Sequence, residues 1–193
     1  DQGEVWIDGE EITKLKLGDL NRIGKQIGML FQSAALFDSM TVEENVGFML
    51  SQHTKLSQGE IEDIVTEKLH LVDLDGTLKL KPAELSGGMR KRVGLARAIA
   101  FNPDVILYDE PTTGLDPITG LEINRLIREL HTKLQVTSVV VTHDMESAFS
   151  VATKMAMIHK GKVIASGDPD EFWQTDNPML QQFISGGNER IGE

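Results

Sequence analysis

Val105-Ile106-Leu107-Tyr108-Asp109-Glu110-Pro111 is the stretch that decides the fold of this 193-residue chain. Four apolar residues in succession are too few for a helix and do not alternate with polar ones. That is the pattern of a strand buried on both faces of a parallel sheet, and Pro111 stops it. Asp109 and Glu110 therefore fall at the carboxyl edge of the sheet, where open α/β folds bind ligands. One carboxylate there can hold Mg²⁺ while its neighbour positions an attacking water. A solvated strand end is the plainer reading of an Asp-Glu pair taken alone.

Downstream, Asp116 precedes Pro117 as a helix cap would. Ile118 to Leu134 is amphipathic, with Ile123, Leu126, Ile127, Leu130 and Leu134 inward, and a β-branched run from Val136 to Thr142 follows. This is a strand, helix, strand unit of the parallel kind, and it leaves His143 at a second strand end. Met155 to Ile158 and Val163 to Ala165 flank Lys160-Gly161 as a hairpin, and Asp168-Pro169 with Glu171 opens a last helix.

Upstream, Glu4 to Gly9 reads as a strand running into a tight turn, and Ile27 to Phe31 as a strand with Gln32 after it. Thr41 with Glu44, and Ser57 with Glu60, are capping-box patterns, so Ser39 to Asn102 reads as helical. Leu85-Ser86-Gly87-Gly88-Met89 leads into a helix reaching about Phe101. A Ser hydroxyl and glycine N–H groups thus gather at a helix N-terminus, a ready anion site, although an ordinary N-cap explains them as well. Arg90, Lys91 and Arg92 in the first turns oppose the helix dipole; they read either as a site facing anions or as a solvated basic face. The expected organisation is an α/β core begun by residues 1–38, a helical unit over 39–102, the rest of the core over 103–184, and a loose tail at 185–193.

Composition narrows the functional classes. With 30 acidic against 19 basic residues and a net charge of -11, attraction to a nucleic-acid backbone is unfavourable overall. Zero cysteines exclude a disulfide framework and a thiol nucleophile. No apolar run reaches the length of a membrane span, and the first residues lack the pattern of a signal peptide, so any membrane role is expected through a partner.

Taken in order, these motifs resemble the ABC transporter ATPase family across essentially the whole chain. The resemblance implies an α/β, P-loop NTPase-type (RecA-like), mostly parallel sheet with an inserted α-helical subdomain. It implies ATP and Mg²⁺ as cofactors, a transmembrane permease and a second copy of the ATPase as partners, and a peripheral place on the cytoplasmic face of the cell membrane; nucleic acid is not an expected partner. Residue by residue, it implies Gln32 as the Q-loop residue that touches Mg²⁺ and couples to the permease. Ser86, Gly87 and Gly88 become the signature that caps the γ-phosphate of ATP held by the other subunit. Asp109 becomes the metal residue, Glu110 the general base, Asp116 the D-loop acid reaching across the dimer, and His143 the switch histidine. Within the family, the run Gln32 to Val42 together with Leu85 to Met89 looks like the branch that serves Mce-type lipid transport, the MlaF-like ATPases.

The sequence departs from the family pattern twice. Met89 stands where the signature usually has Gln. The phosphate-binding pattern GxxxxGK followed by Ser or Thr is absent from the 193 residues: Gly161-Lys162 is followed by Val163, and Gly24-Lys25 by Gln26. An N-terminally truncated chain, inactive by itself, is the expectation. The rival readings are a soluble ATPase of the family acting on nucleic acid or ribosomes, and a non-catalytic regulatory protein that lacks the loop.

Overall fold

A computed structural model describes residues 3–185. The chain opens with a two-stranded antiparallel hairpin, β1 (Trp6–Ile7) and β2 (Glu10–Glu11), so the strand expected over Glu4 to Gly9 is only its short first arm. Helix α1 (Leu17–Gly24) follows, then β3 (Ile27–Leu30), as expected. Helix α1 was not expected from the sequence: Lys16 offers no side-chain cap, and its short apolar repeat of Leu17, Leu20 and Ile23 has only Ile23 buried.

Helices α2 (Val42–His53) and α3 (Gln58–Leu71) begin at the two capping boxes. Thr41 Oγ1 accepts from the Glu44 N–H at 3.2 Å while Glu44 Oε2 accepts from the Thr41 N–H at 2.7 Å, so two otherwise orphaned donors are satisfied reciprocally. The bend before α2 hangs on buried Asn45, whose Oδ1 accepts from the Phe37 N–H at 2.8 Å. Its Nδ2 donates to the carbonyls of Phe37 at 3.1 Å and Thr41 at 2.9 Å. Helix α4 (Gly87–Ile99) closes this stretch, which is not helical throughout as expected: residues 72–86 are loop with one short 3-10 turn, Pro82–Glu84.

The core then alternates β4 (Val105–Asp109), α5 (Pro117–Leu134) and β5 (Thr137–Val141). The sheet order is β3-β4-β5, all parallel, with Leu30 opposite Tyr108 and Tyr108 opposite Val140. After α6 (Met145–Val151) comes a separate hairpin, β6 (Met155–His159) and β7 (Lys162–Gly167). Its turn residues Lys160 and Gly161 have φ of 48° and 73°, as a tight hairpin requires. The single last helix expected from Asp168 is two, α7 (Pro169–Trp173) and α8 (Pro178–Ile184), because Asn177 caps a new start. The tail reading falls on residues 186–193, outside the described residues, apart from Ser185.

One apolar core joins α2 to α5 with the sheet, including Leu30, Val46, Val65, Leu95, Ile106, Tyr108, Ile123 and Leu130. Helix α4 lies on β3 at glycine range. A Cβ on Gly94 would come within 2.7 Å of Leu30 Cδ1, and one on Gly28 would overlap the Ala98 carbonyl oxygen. The expectation that β4 is buried on both faces fails: Ile106 and Tyr108 are sealed, while Val105 and Leu107 are only half-buried. Apolar residues occupy both faces, but burial needs a layer above, and the described helix α4 supplies it on one side. Among the described residues no helix is long and apolar enough to cross a membrane.

Candidate functional site

The parallel register carries Glu110 and His143 to one place. β4 and β5 run side by side to the Asp109 and Val141 pair, so the residues that follow are neighbours at the sheet's carboxyl edge. At Glu110 the chain leaves the strand with φ 46°, an uncommon left-handed conformation for a residue with a side chain. Its N–H donates to the Val141 carbonyl at 2.9 Å, and its own carbonyl accepts from Lys91 Nζ at 3.0 Å.

The Glu110 carboxylate is held by four donors. Oε1 accepts from His143 Nδ1 at 2.7 Å and from the His143 N–H at 3.2 Å; Oε2 accepts from Thr113 Oγ1 at 3.0 Å and Thr142 Oγ1 at 3.3 Å. Burial pushes this carboxyl up. The hydrogen bonds from His143 and Thr113, the charge of His143 and the Thr142 hydroxyl outweigh it, and the net result lies below the usual carboxylate value. His143 is raised, first by its hydrogen bond to Glu110 and then by that group's charge. Glu110 is therefore ionised over the working pH range. The imidazole donates from Nδ1 and leaves Nε2 without a partner among the described residues.

Asp109 is half-buried, and its carboxylate accepts no hydrogen bond from the described residues. Gln32 is exposed just beyond β3. Its side chain is likewise uncommitted, while its main-chain carbonyl accepts from Lys91 Nζ at 2.7 Å. Two uncommitted oxygen donors fit Mg²⁺, which is typically held by one or two carboxylates with water and substrate phosphates completing its shell. No group of three or more His, Cys, Asp or Glu able to hold a metal occurs among the described residues, so the protein alone offers no closed cage.

Ser86 is the N-cap of α4, its Oγ accepting from the Met89 N–H at 3.2 Å. Gly87 and Gly88 start the helix, where N–H groups have no intrahelical partner. Both glycines also have a packing reason. A Cβ on Gly88 would stand 2.6 Å from Thr119 Cγ2, and one on Gly87 3.3 Å from Leu115 Cδ2. Thr119 is in turn fixed by Asp116, which caps α5 and accepts from the Thr119 N–H at 3.0 Å and Oγ1 at 2.6 Å. These bonds hold the Asp116 carboxyl below its usual value. The candidates thus form two groups: Asp109, Glu110, His143 and the Gln32 main chain at the strand ends, and Ser86 to Gly88 with Asp116 at two helix starts. No hydrogen bond joins Ser86, Gly87, Gly88 or Asp116 to Asp109, Glu110 or His143.

The basic triplet divides: Arg90 is exposed, as a solvated face would be, Arg92 is half-buried on two carboxylates, and Lys91 turns inward. Buried Lys91 reaches the two carbonyls already named. Arg92 donates to the Val72 carbonyl at 2.9 Å and to Asp73 and Glu122 at 3.1 Å each, and Arg90 Nε to the Leu85 carbonyl at 3.3 Å. Sequence reasoning missed Thr113 and Thr142, and it named Lys91 only within the basic triplet, without its inward role; a hydroxyl directly before His143 was the one local cue. Within the run Gln32 to Val42, Ala34 is buried, whereas Phe37 is 43% exposed with its ring 4.9 Å from that of Phe48.

Residues 1–113 match the ABC transporter family. The chain belongs to that family. It is 43% identical to the intermembrane phospholipid transport system ATP-binding protein MlaF of Haemophilus influenzae, across 98% of this chain and 72% of that protein. It is 41% identical to the probable ribonucleotide transport ATP-binding protein mkl of Mycobacterium leprae, across 100% of this chain but 55% of that longer protein. Among solved structures it resembles a dimeric ATP-binding cassette in a post-hydrolysis state bound to ADP and phosphate. The TM-score is 0.77 and the identity 34%, covering 87% of this chain and 74% of that one. The fold is the α/β P-loop NTPase type of these cassettes.

Proposed function

We propose that this chain is the catalytic part of an ATP-hydrolysing ABC transporter subunit that powers phospholipid transport through a membrane permease. The observation that carries the reading is a carboxylate fixed by four donors, Glu110, directly beside an uncommitted one, Asp109. Phosphoryl transfer has a loose transition state, so catalysis rests on positioning and charge more than on a strong base. Glu110 suits that demand: ionised and locked, it accepts a hydrogen bond from the attacking water and aims it. His143 holds the carboxylate through Nδ1 and offers Nε2 to the γ-phosphate. Asp109 and the Gln32 side chain would hold Mg²⁺, which neutralises phosphate charge when bound.

Ser86, Gly87 and Gly88 present helix-start N–H groups suited to a γ-phosphate. They pack against the Asp116-capped start of α5 and make no hydrogen bond to Glu110, which supports a head-to-tail second copy whose signature completes the site, with Asp116 reaching across. We assign residues 39–102 to the signature subdomain, 1–38 and 103–184 to the core, and the exposed surface at Phe37 and Met49 to the permease, on the cytoplasmic face of the membrane. Relatives named for intermembrane phospholipid transport support the cargo class. Because the 193 residues contain no GxxxxGK[ST] loop, turnover is assigned to the subunit carrying that loop, and the 193 residues alone are assigned no activity.

The test is Glu110→Gln in that subunit, which keeps the side-chain shape and removes the carboxylate charge. Turnover should fall by about 10²- to 10⁴-fold. ATP binding should persist, and the variant should accumulate as an ATP-bound dimer. Hydrolysis at the parental rate would show that Glu110 is not the catalytic carboxylate.

A further inference from the structure

The β3 to β4 ladder stops at the Leu30 and Tyr108 pair. Beyond it the Gln32 carbonyl has no backbone donor among the described residues, and the Glu110 carbonyl has only a turn bond from the Thr113 N–H at 3.3 Å. The two carbonyls share one side-chain donor. Lys91 Nζ, on a residue 4% exposed, donates to the Gln32 carbonyl at 2.7 Å and to the Glu110 carbonyl at 3.0 Å. Burying an ammonium is unfavourable unless it is well paired. Burial pulls the Lys91 ammonium below its ordinary value, while the charges of Glu110 and Asp109 oppose that pull and two carbonyls bind the group. A neutral side chain with one donor could serve one strand end; a group with three donors serves both from one point.

The geometry at Glu110 shows what the bond does. The residue sits at φ 46°, where the direction of its carboxylate follows from an uncommon backbone conformation. That conformation is fixed from two sides: the N–H is held by β5 through Val141, and the carbonyl accepts from Lys91 of α4 at 3.0 Å and, more weakly, from the Thr113 N–H at 3.3 Å. Along the same helix, Arg97 Nη1 donates to the Ala35 carbonyl at 2.7 Å and Nη2 to the Ala34 carbonyl at 2.5 Å. Helix α4, whose first turn carries Ser86 to Gly88, thus grips the segment after β3 by its carbonyls, and through Lys91 it grips Glu110 as well.

We propose that Lys91 is a positioning residue for hydrolysis: by joining the carbonyls of Gln32 and Glu110 to helix α4, its ammonium sets the direction of the Glu110 carboxylate. The inference rests on the ATPase reading above. Lys91 does not itself meet the nucleotide; it acts through Glu110 and the Gln32 backbone. Misplacing a reacting group by an ångström can slow an enzyme by about 10²-fold, which sets the scale expected here.

The experiment compares the parental full-length subunit with Lys91→Met and Lys91→Arg, measuring kcat and KM for MgATP together with thermal melting. Lys91→Met should lower kcat by about 10- to 100-fold with little change in KM. Lys91→Arg, which restores a cation with several donors, should recover most of that loss. A purely structural role would lower the melting temperature without this kcat-specific, cation-rescued loss. Parental kcat in Lys91→Met, a loss seen only in KM, or a loss that Lys91→Arg leaves unrepaired would overturn the assignment. Should Lys91→Met not melt cooperatively, Lys91→Gln, neutral and still a donor to one carbonyl, carries the same comparison. A parental subunit without ATP turnover would overturn the ATPase reading and this inference together. Turnover in the parent with parental kcat in the variant would overturn this inference alone.

Discussion

On one face of the parallel sheet, Leu30 and Ile106 are fully sealed and Tyr108 nearly so; on the other, Val139 and Val141 stand 47% and 60% exposed. The residue types are alike, and the overlying layer is not. Helix α4 sits on the first face through Gly28 and Gly94, and it also supplies Lys91 and Arg97 to the strand ends. Asp109 alternates with Tyr108 and so shares the open face with Val105 and Leu107. The molecule thus has a closed side that fixes backbone and an open side on which a committed carboxylate, Glu110, and an uncommitted one, Asp109, meet the ligand edge.

The sharpest way to break this comparison is Gly28→Ala on the closed face. The added methyl would overlap the Ala98 carbonyl oxygen, and a backbone atom in a packed helix has little room to yield. Destabilisation of about 1–3 kcal/mol or more is expected from such overpacking, read as a lowered denaturant midpoint. A wild-type midpoint would mean that α4 does not press on β3.

At the edge where the two faces meet, the pH dependence of the Glu110 and His143 contact comes next. His143 is raised, so its contribution to stability is complete below the ordinary imidazole value of 6.5 and fades as pH rises through the higher folded value. Glu110 is lowered, so its contribution is complete above the ordinary 4.5 and fades as pH falls through the lower folded value. Between 4.5 and 6.5 both contributions are whole. Histidine-selective NMR titration should place His143 above its ordinary value in the parent and bring it down in Glu110→Gln. An unshifted titration in both proteins would dissolve the pair.

The smallest effect belongs to the open face. Val139→Thr exchanges a methyl for a hydroxyl at a site already in contact with water, so stability should change by no more than about 0.5 kcal/mol. A loss as large as that of Gly28→Ala would show that the second face is covered in solution.

What the sequence made legible follows the range of the interactions. Thr41 with Glu44 and Ser57 with Glu60 are local, and the helices begin where those pairs predict. The meeting of Glu110 with His143 was readable because each ends an apolar run of one parallel unit. Lys91 was not readable: its partners lie 59 and 19 positions away, and no pattern around it distinguishes a lysine that reaches inward from one that reaches into water. Burial of both faces of β4 was misread for a related reason, since hydrophobicity marks where a layer could sit and not whether one does. Helix α1 has no cap, and in its eight residues the spacing of Leu17, Leu20 and Ile23 is too short a repeat to stand out.

The bend from Phe37 to Thr41 takes its shape from two side chains outside it, those of Asn45 and Glu44. Asp38 and Ser39 are exposed and lend no side chain to that clamp. A substitution at either position therefore alters the exposed surface beside Phe37 while leaving in place the hydrogen bonds that shape the bend.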